Sequence, residues 1–256
     1  MRPVERLAKE ELKKELMVRC EKRFLVDEDR ARAVMQAVSR NLEPARTDCL
    51  FPWRITTYCD TPDWRLYRSA VAGAGTRLRF REYHIGRPEE AFGSATTWLE
   101  VKEALPSGRK ARVGILSSAI PALLRGDAQL PAALNGLGEQ VQLLVAAHAR
   151  PVLVTRYCRL AYAAPGDRIR ITADYDLSYL AIPWAASDDG AVPCRLGPVL
   201  GTESGTVIEI KYSDELPDWA VAILGSLSEP TTGEQPSKFV VGVRHLRRHL
   251  HPYAGQ

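Results

Sequence analysis

The chain is poor in several residue types, and each scarcity excludes something. Five cysteines (Cys20, Cys49, Cys59, Cys158, Cys194) are scattered, odd in number and without a C-x-x-C pair. That argues against a disulfide framework or a cysteine zinc site and makes a reducing cytoplasm the default. Aromatic residues are only 7% and do not interleave with the basic segments as a base-stacking platform needs, so no nucleic-acid partner is expected. No apolar run approaches the roughly 18 residues of a membrane span, and Met1–Leu16 is charged throughout, so neither a membrane segment nor a targeting segment is expected. Charge of one sign is not in large excess either. Lys+Arg 35 against Asp+Glu 31 leaves a net charge of +4, too little for a bulk polycation, so any preference for anions must come from where the charges sit. Lysine itself is scarce. Of the 35 basic residues 8 are Lys and 27 are Arg, and arginine offers the planar fork that fits phosphate.

What remains is an ordinary globular composition, with 45% hydrophobic and 26% charged residues over 256 positions. It is read as a single domain over 1–256, with an N-terminal amphipathic helix (1–16) and a basic tail (244–256). Strands are predicted at 17–26, 53–60, 76–84, 96–104, 109–116, 151–163, 167–176 and 205–213. Helices are predicted at 28–42 behind an Asp27 N-cap, at 115–126, at 131–149 and at 216–228. Residues 228–236 read as a polar loop, 237–243 as a short extended piece. The histidines His245, His249 and His251 lie among Arg244, Arg247 and Arg248, and read as a solvated basic end rather than a metal cluster.

The informative signal is the content of the strands. A half-buried strand puts apolar residues on one face and mixed polar residues on the other. Here the polar face is charged again and again. Arg19, Glu21 and Arg23 share one face, as do Arg77, Arg79 and Arg81, with Leu78 and Phe80 opposite. Glu100 and Lys102 follow in WLEVKE, Lys110 and Arg112 in RKARV, Arg159 in RYCRLAY. Arg168, Arg170 and Asp174 alternate with Ile169 and Ile171, and Glu209 and Lys211 with Ile208 and Ile210. Lys22 and Glu82 fall on the other parity and are expected to face outward. Two architectures satisfy this pattern: an open antiparallel sheet with a charged face in water, or a closed barrel with a charged lumen. Neighbouring arginines on one strand face are about 6.7 Å apart. They repel by roughly 2 kcal/mol at an effective dielectric of 20, so inside a barrel the row needs an anion or facing carboxylates. Such a lumen would grip a phosphate chain, and a carboxylate within it would hold a bridging divalent cation.

Seven segments carry a family resemblance: YCDTPDWRLYRS (58–69), RLRFREY (77–83), WLEVKE (98–103), RYCRLAY (156–162), RIRITADYDL (168–177), VIEIKY (207–212) and SKF (237–239). In order and spacing they resemble the VTC domain, the polyphosphate-polymerase module of the vacuolar transporter chaperone complex, within the triphosphate tunnel metalloenzyme superfamily. The resemblance implies an α+β fold in which eight antiparallel strands close into a barrel, the tunnel, with a charged lumen and helices packed outside. It implies a soluble cytoplasmic enzyme that moves a phosphoryl group from a nucleoside triphosphate onto a growing polyphosphate, with Mn²⁺ or Mg²⁺ as cofactor. The alternatives are a triphosphate hydrolase and a non-catalytic polyphosphate binder.

Carried over by position, Arg77, Arg79, Lys102, Arg159, Arg170 and Lys211 take the catalytic places. Arg23, Arg112 and Lys238 bind phosphate, Lys238 matching a lysine that follows the C-terminal helix. Glu209 is similar to the metal-binding glutamate, and Glu21 and Glu100 are supporting carboxylates. Two positions depart from the pattern. Arg19 stands where hydrolytic tunnel enzymes carry a glutamate, and Ala104 where eukaryotic polymerase modules can carry a histidine.

Overall fold

The computed structural model describes residues 20–73, 76–102, 110–127, 137–182, 194–213, 215–227 and 237–250. The predicted helix at 1–16, Arg19, Ala104 and the 228–236 loop lie outside these residues. In chain order the strands are β1 (Cys20–Val26), β2 (Glu43–Pro44), β3 (Trp53–Asp60), β4 (Arg77–His84), β5 (Glu90–Ala91), β6 (Thr96–Lys102), β7 (Lys110–Leu116), β8 (Arg150–Ala163), β9 (Ile169–Leu180), β10 (Cys194–Arg195), β11 (Val199–Thr202) and β12 (Thr206–Tyr212). The helices are α1 (Glu28–Val38), α2 (Arg46–Leu50), α3 (Arg65–Val71), α4 (Ile120–Arg125), α5 (Gly138–Ala146), α6 (Asp218–Ser226) and α7 (Lys238–Leu250). The architecture is α+β, with a large antiparallel sheet.

The main strand path runs β1-β12-β9-β8-β3-β4-β6-β7, and among the described residues nothing pairs β1 with β7. The closed barrel expected from the family resemblance is therefore not what the strands form. The strand pattern could not have decided the matter: alternation fixes which face a side chain takes, and an open sheet alternates like a closed one.

Two compact units partition the chain. The smaller holds residues 1–46, 160–173 and 205–235. Its β1 and β12 run antiparallel, with Glu21 opposite Lys211, Arg23 opposite Glu209 and Phe24 opposite Ile208. Gly205 is needed where they meet, because a Cβ there would sit 2.3 Å from the Val26 carbonyl oxygen. Helix α1 starts at Asp27, whose carboxylate accepts the Arg30 N–H at 2.8 Å. It buries Ala31, Val34, Met35 and Val38, spaced as one helical face, against β12 and α6. It ends at Val38, four residues before the predicted stop, with Ser39 as its C-cap donating its N–H to the Met35 carbonyl at 3.0 Å.

The larger unit holds residues 47–159, 174–204 and 236–256. Here β3 lies between β8 and β4, and β6 and β7 extend the sheet from β4. One face is apolar: Leu78 lies opposite Val101 and Phe80 opposite Leu99, all buried. Glu82 is on this face, as its parity requires, but it is buried rather than turned to water. The Phe92 N–H (2.7 Å) and the Ser94 N–H (3.2 Å) donate to its carboxylate. The 237–243 stretch is helical, not extended: Phe239, Val240, Gly242 and Val243 form the buried side of α7. Lys238, which follows α6, is the first residue of α7. Gly242 permits the contact, since a Cβ would meet Leu153 at 2.3 Å.

Candidate functional site

In the larger unit the pleat and the register bring the predicted residues together. Directly opposed residues on neighbouring strands share a face. Arg77 faces Lys102, Arg79 faces Glu100 and Arg81 faces Trp98 across β4 and β6. Lys102 in turn faces Lys110, and Glu100 faces Arg112 across β6 and β7. Glu100 sits at the centre. Arg79 Nε and Nη2 reach its Oε2 at 2.7 and 2.6 Å. Arg81 Nη1 and Arg112 Nε lie 3.8 and 3.5 Å from its Oε1. Burial pushes the Glu100 carboxyl up, but Arg79, Arg81 and Arg112 overcome it and hold it down at about 2. Their local charge is offset only in part. Arg112, 41% exposed, lies over Trp98, 4.0 Å from its ring centroid, and 5.0 Å from that of Tyr83.

A second group on the same unit centres on Asp174, 0% exposed. Arg159 grips it bidentately, Nε to Oδ1 at 2.6 Å and Nη2 to Oδ2 at 2.8 Å, and Lys238 Nζ reaches Oδ2 at 2.6 Å. Burial raises the Asp174 carboxyl, and Arg159 and Lys238 outweigh this to bring it down to about 2. Asp174 is thus a buried ion-pair anchor on β9. Tyr157 lies under both cations, 5.2 Å from each.

The smaller unit brings four predicted residues into one square. Arg23 Nε donates to Glu209 Oε2 at 3.0 Å, and Lys211 Nζ lies 2.5 Å from Glu209 Oε1 and 3.5 Å from Glu21. Arg23 also bonds Glu21. Arg170 is half-buried on β9, on the parity of Thr172.

Three residues of the larger unit's charged face were not assigned from sequence. Arg54, 2% exposed, donates to Asp48 of α2 at 2.7 Å and lies over Tyr83 at 4.3 Å. Thr56 accepts from Arg81 Nε at 3.3 Å. Aligning β3 against β4 would have found them, because Arg54 pairs Tyr83 and Thr56 pairs Arg81. Arg81 itself shares the arginine row but was given no role. The DTPDW motif proves to be structural. Asp60 accepts the N–H groups of Thr61, Leu66 and Tyr67 at 2.8–2.9 Å and so satisfies the open amides at the start of α3. Trp64 takes the left-handed φ of 58° that turns the chain into the helix.

Glu209 and Glu21 stand one strand apart, and one or two carboxylates suffice for Mg²⁺ when phosphate and water complete the shell. Both already neutralise Arg23 and Lys211, and among the described residues no three acidic, His or Cys groups converge. They fit a phosphate-completed site, not a protein cage.

Fold and charged face define an α+β protein whose antiparallel sheet carries clustered arginines over buried carboxylates. The chain belongs to the VTC domain family, whose model matches residues 18–247. No curated protein matches it. Among solved structures it is similar to a candidate adenylate cyclase from Bacillus halodurans, at 13% identity over 87% of this chain and 94% of that one, with a TM-score of 0.49. A candidate adenylate cyclase from Vibrio parahaemolyticus shares 14% identity over 82% and 83%, at 0.39. The Schizosaccharomyces pombe Mediator head module shares 10% over 91% and 94%, also at 0.39. These identities are too low to carry an activity across. Among the described residues no helix is long and apolar enough to cross a membrane.

Proposed function

We propose that the protein transfers the terminal phosphoryl group of a nucleoside triphosphate onto a growing inorganic polyphosphate. The observation that carries this reading is the Glu100 centre: three arginines gathered on one carboxylate, with Arg77, Lys102 and Lys110 on the same face. A cation surplus on a rigid sheet is stabilised by an anion with many oxygens, and a phosphate chain has them. Membership of the VTC domain family supports the same substrate class.

In the larger unit, Arg77, Arg79, Arg81, Lys102, Arg112, Arg159 and Lys238 hold non-bridging phosphate oxygens. Glu100 and Asp174 keep the guanidinium planes oriented before substrate arrives, so the charge stabilisation costs little reorganisation. In the smaller unit, Arg23, Arg170 and Lys211 bind phosphate, and Glu209 with Glu21 would hold Mn²⁺ or Mg²⁺. When bound, the cation supplies positive charge to the phosphate oxygens that gain negative charge in transfer. An oxygen of the chain's terminal phosphate attacks the γ-phosphorus, the bond from γ-phosphorus to the β-bridging oxygen breaks, and nucleoside diphosphate leaves. No protein nucleophile is required, because the acceptor is itself a phosphate. We place the protein in a reducing cytoplasm, a setting that suits the free thiols of Cys20, Cys49, Cys59 and Cys158.

The test is product analysis after incubation with ATP and Mn²⁺. Chains of many phosphates are expected. Free phosphate alone would assign a hydrolase, and no product with retained binding would assign a binding module.

A further inference from the structure

Helix α7 begins in the candidate site and ends outside it. Lys238, its first residue, touches Asp174 and lies over Tyr157. One side of the helix is buried, and the other carries Arg244, Arg247 and Arg248, spaced i, i+3 and i+4 so that they share a face. The helix contains no acidic residue, and among the described residues no carboxylate pairs with these three. Arg247 is instead held over the rings of Trp64 and Tyr67, 5.6 and 5.1 Å from their centroids. That contact fixes a guanidinium without cancelling its charge. Cations in a last turn also suit the helix dipole, but Arg244 lies before that turn, so the dipole does not account for the row.

We propose that this outer row of α7 is a second binding site, for the part of a long polyphosphate chain that extends beyond the candidate site. The inference rests on the proposed function. Lys238 to Arg248 spans about 15 Å at the α-helical rise, so one rigid element carries cations from the site to the surface. A triphosphate held at the Lys238 end does not need the outer row, whereas a chain of many phosphates gains from both ends at once.

The experiment compares wild type with Arg244→Gln/Arg248→Gln, two exposed positions where glutamine suits the helix. Direct binding is measured for tripolyphosphate, for chains of about 100 phosphates and for phosphatidylglycerol vesicles. The variant should bind long chains about tenfold more weakly, with a shallower salt dependence, and tripolyphosphate as the wild type does. Unchanged long-chain affinity would overturn the inference, as would an equal loss for both chain lengths. Loss of vesicle binding with long-chain binding intact would overturn it too, assigning the row to a membrane surface. Failure of wild type to bind tripolyphosphate at all would instead strike the proposed function.

Discussion

The two units of the molecule handle charge in opposite ways. In the smaller, two carboxylates and two cations close a square in which Arg23 and Lys211 each contact Glu21 and Glu209. In the larger, the Glu100 carboxylate alone faces three arginines, Arg79, Arg81 and Arg112. A balanced square is satisfied as it stands and changes partners only when an ion enters. A surplus is held at a cost until an anion arrives. The same ingredients, charged residues alternating on antiparallel strands, thus give a group suited to exchanging a cation and a group suited to gripping an anion.

The largest expected effect separates these roles. Glu209→Gln should lower metal-dependent turnover by orders of magnitude while metal-free tripolyphosphate binding survives. Near-wild-type turnover at matched metal concentration would leave Glu209 as an ion-pair partner only.

Acid should unmake the larger unit's centres next. Glu100 and Asp174 are both held at about 2, below their ordinary values of 4.5 and 3.8. A depressed carboxyl contributes stability that is present above its unfolded pKa and lost as pH falls through its folded one. The two together are on the order of a few kcal/mol. Thermal melts should fall steeply between about pH 4.5 and pH 2. A melting temperature that is flat across that window would deny the pairing.

A smaller effect sharpens the contrast between surplus and balance. Glu100→Gln leaves Arg79, Arg81 and Arg112 without their carboxylate and should cost about 2 kcal/mol, partly restored by tripolyphosphate. Glu21→Gln, at the exposed corner of the square, should cost less than about 1 kcal/mol. Equal costs in denaturant titrations would erase the distinction. The smallest effect concerns the scaffold: Asp60→Asn should cost about 1 kcal/mol by loosening the start of α3, with tripolyphosphate affinity unchanged by titration.

The charged face was legible because β-alternation is strict: the strand at 53–60 was predicted to the residue, and the row Arg77, Arg79, Arg81 lies on one face. Pairing across strands was not legible, since it depends on register. That is why Arg54 with Asp48, and Thr56 under Arg81, went unassigned. Closure was expected from the family resemblance alone, and alternation, being blind to it, could not correct that expectation. The 237–243 stretch reads as extended because β-branched Val240, Val241 and Val243 suggest a strand. In the fold those residues help cover the sheet from a helix, and burial overrides their propensity.

The central claim is that the surplus of the larger unit is an anion grip. Calorimetric titration of tripolyphosphate without metal tests it most directly, in wild type, Arg81→Gln and Glu209→Gln. Wild type should bind, Arg81→Gln should bind roughly tenfold to a hundredfold more weakly, as loss of a charge-assisted hydrogen bond implies, and Glu209→Gln should bind as wild type does. A wild-type chain that takes up no tripolyphosphate, or an Arg81→Gln variant that binds it as tightly, would contradict the account.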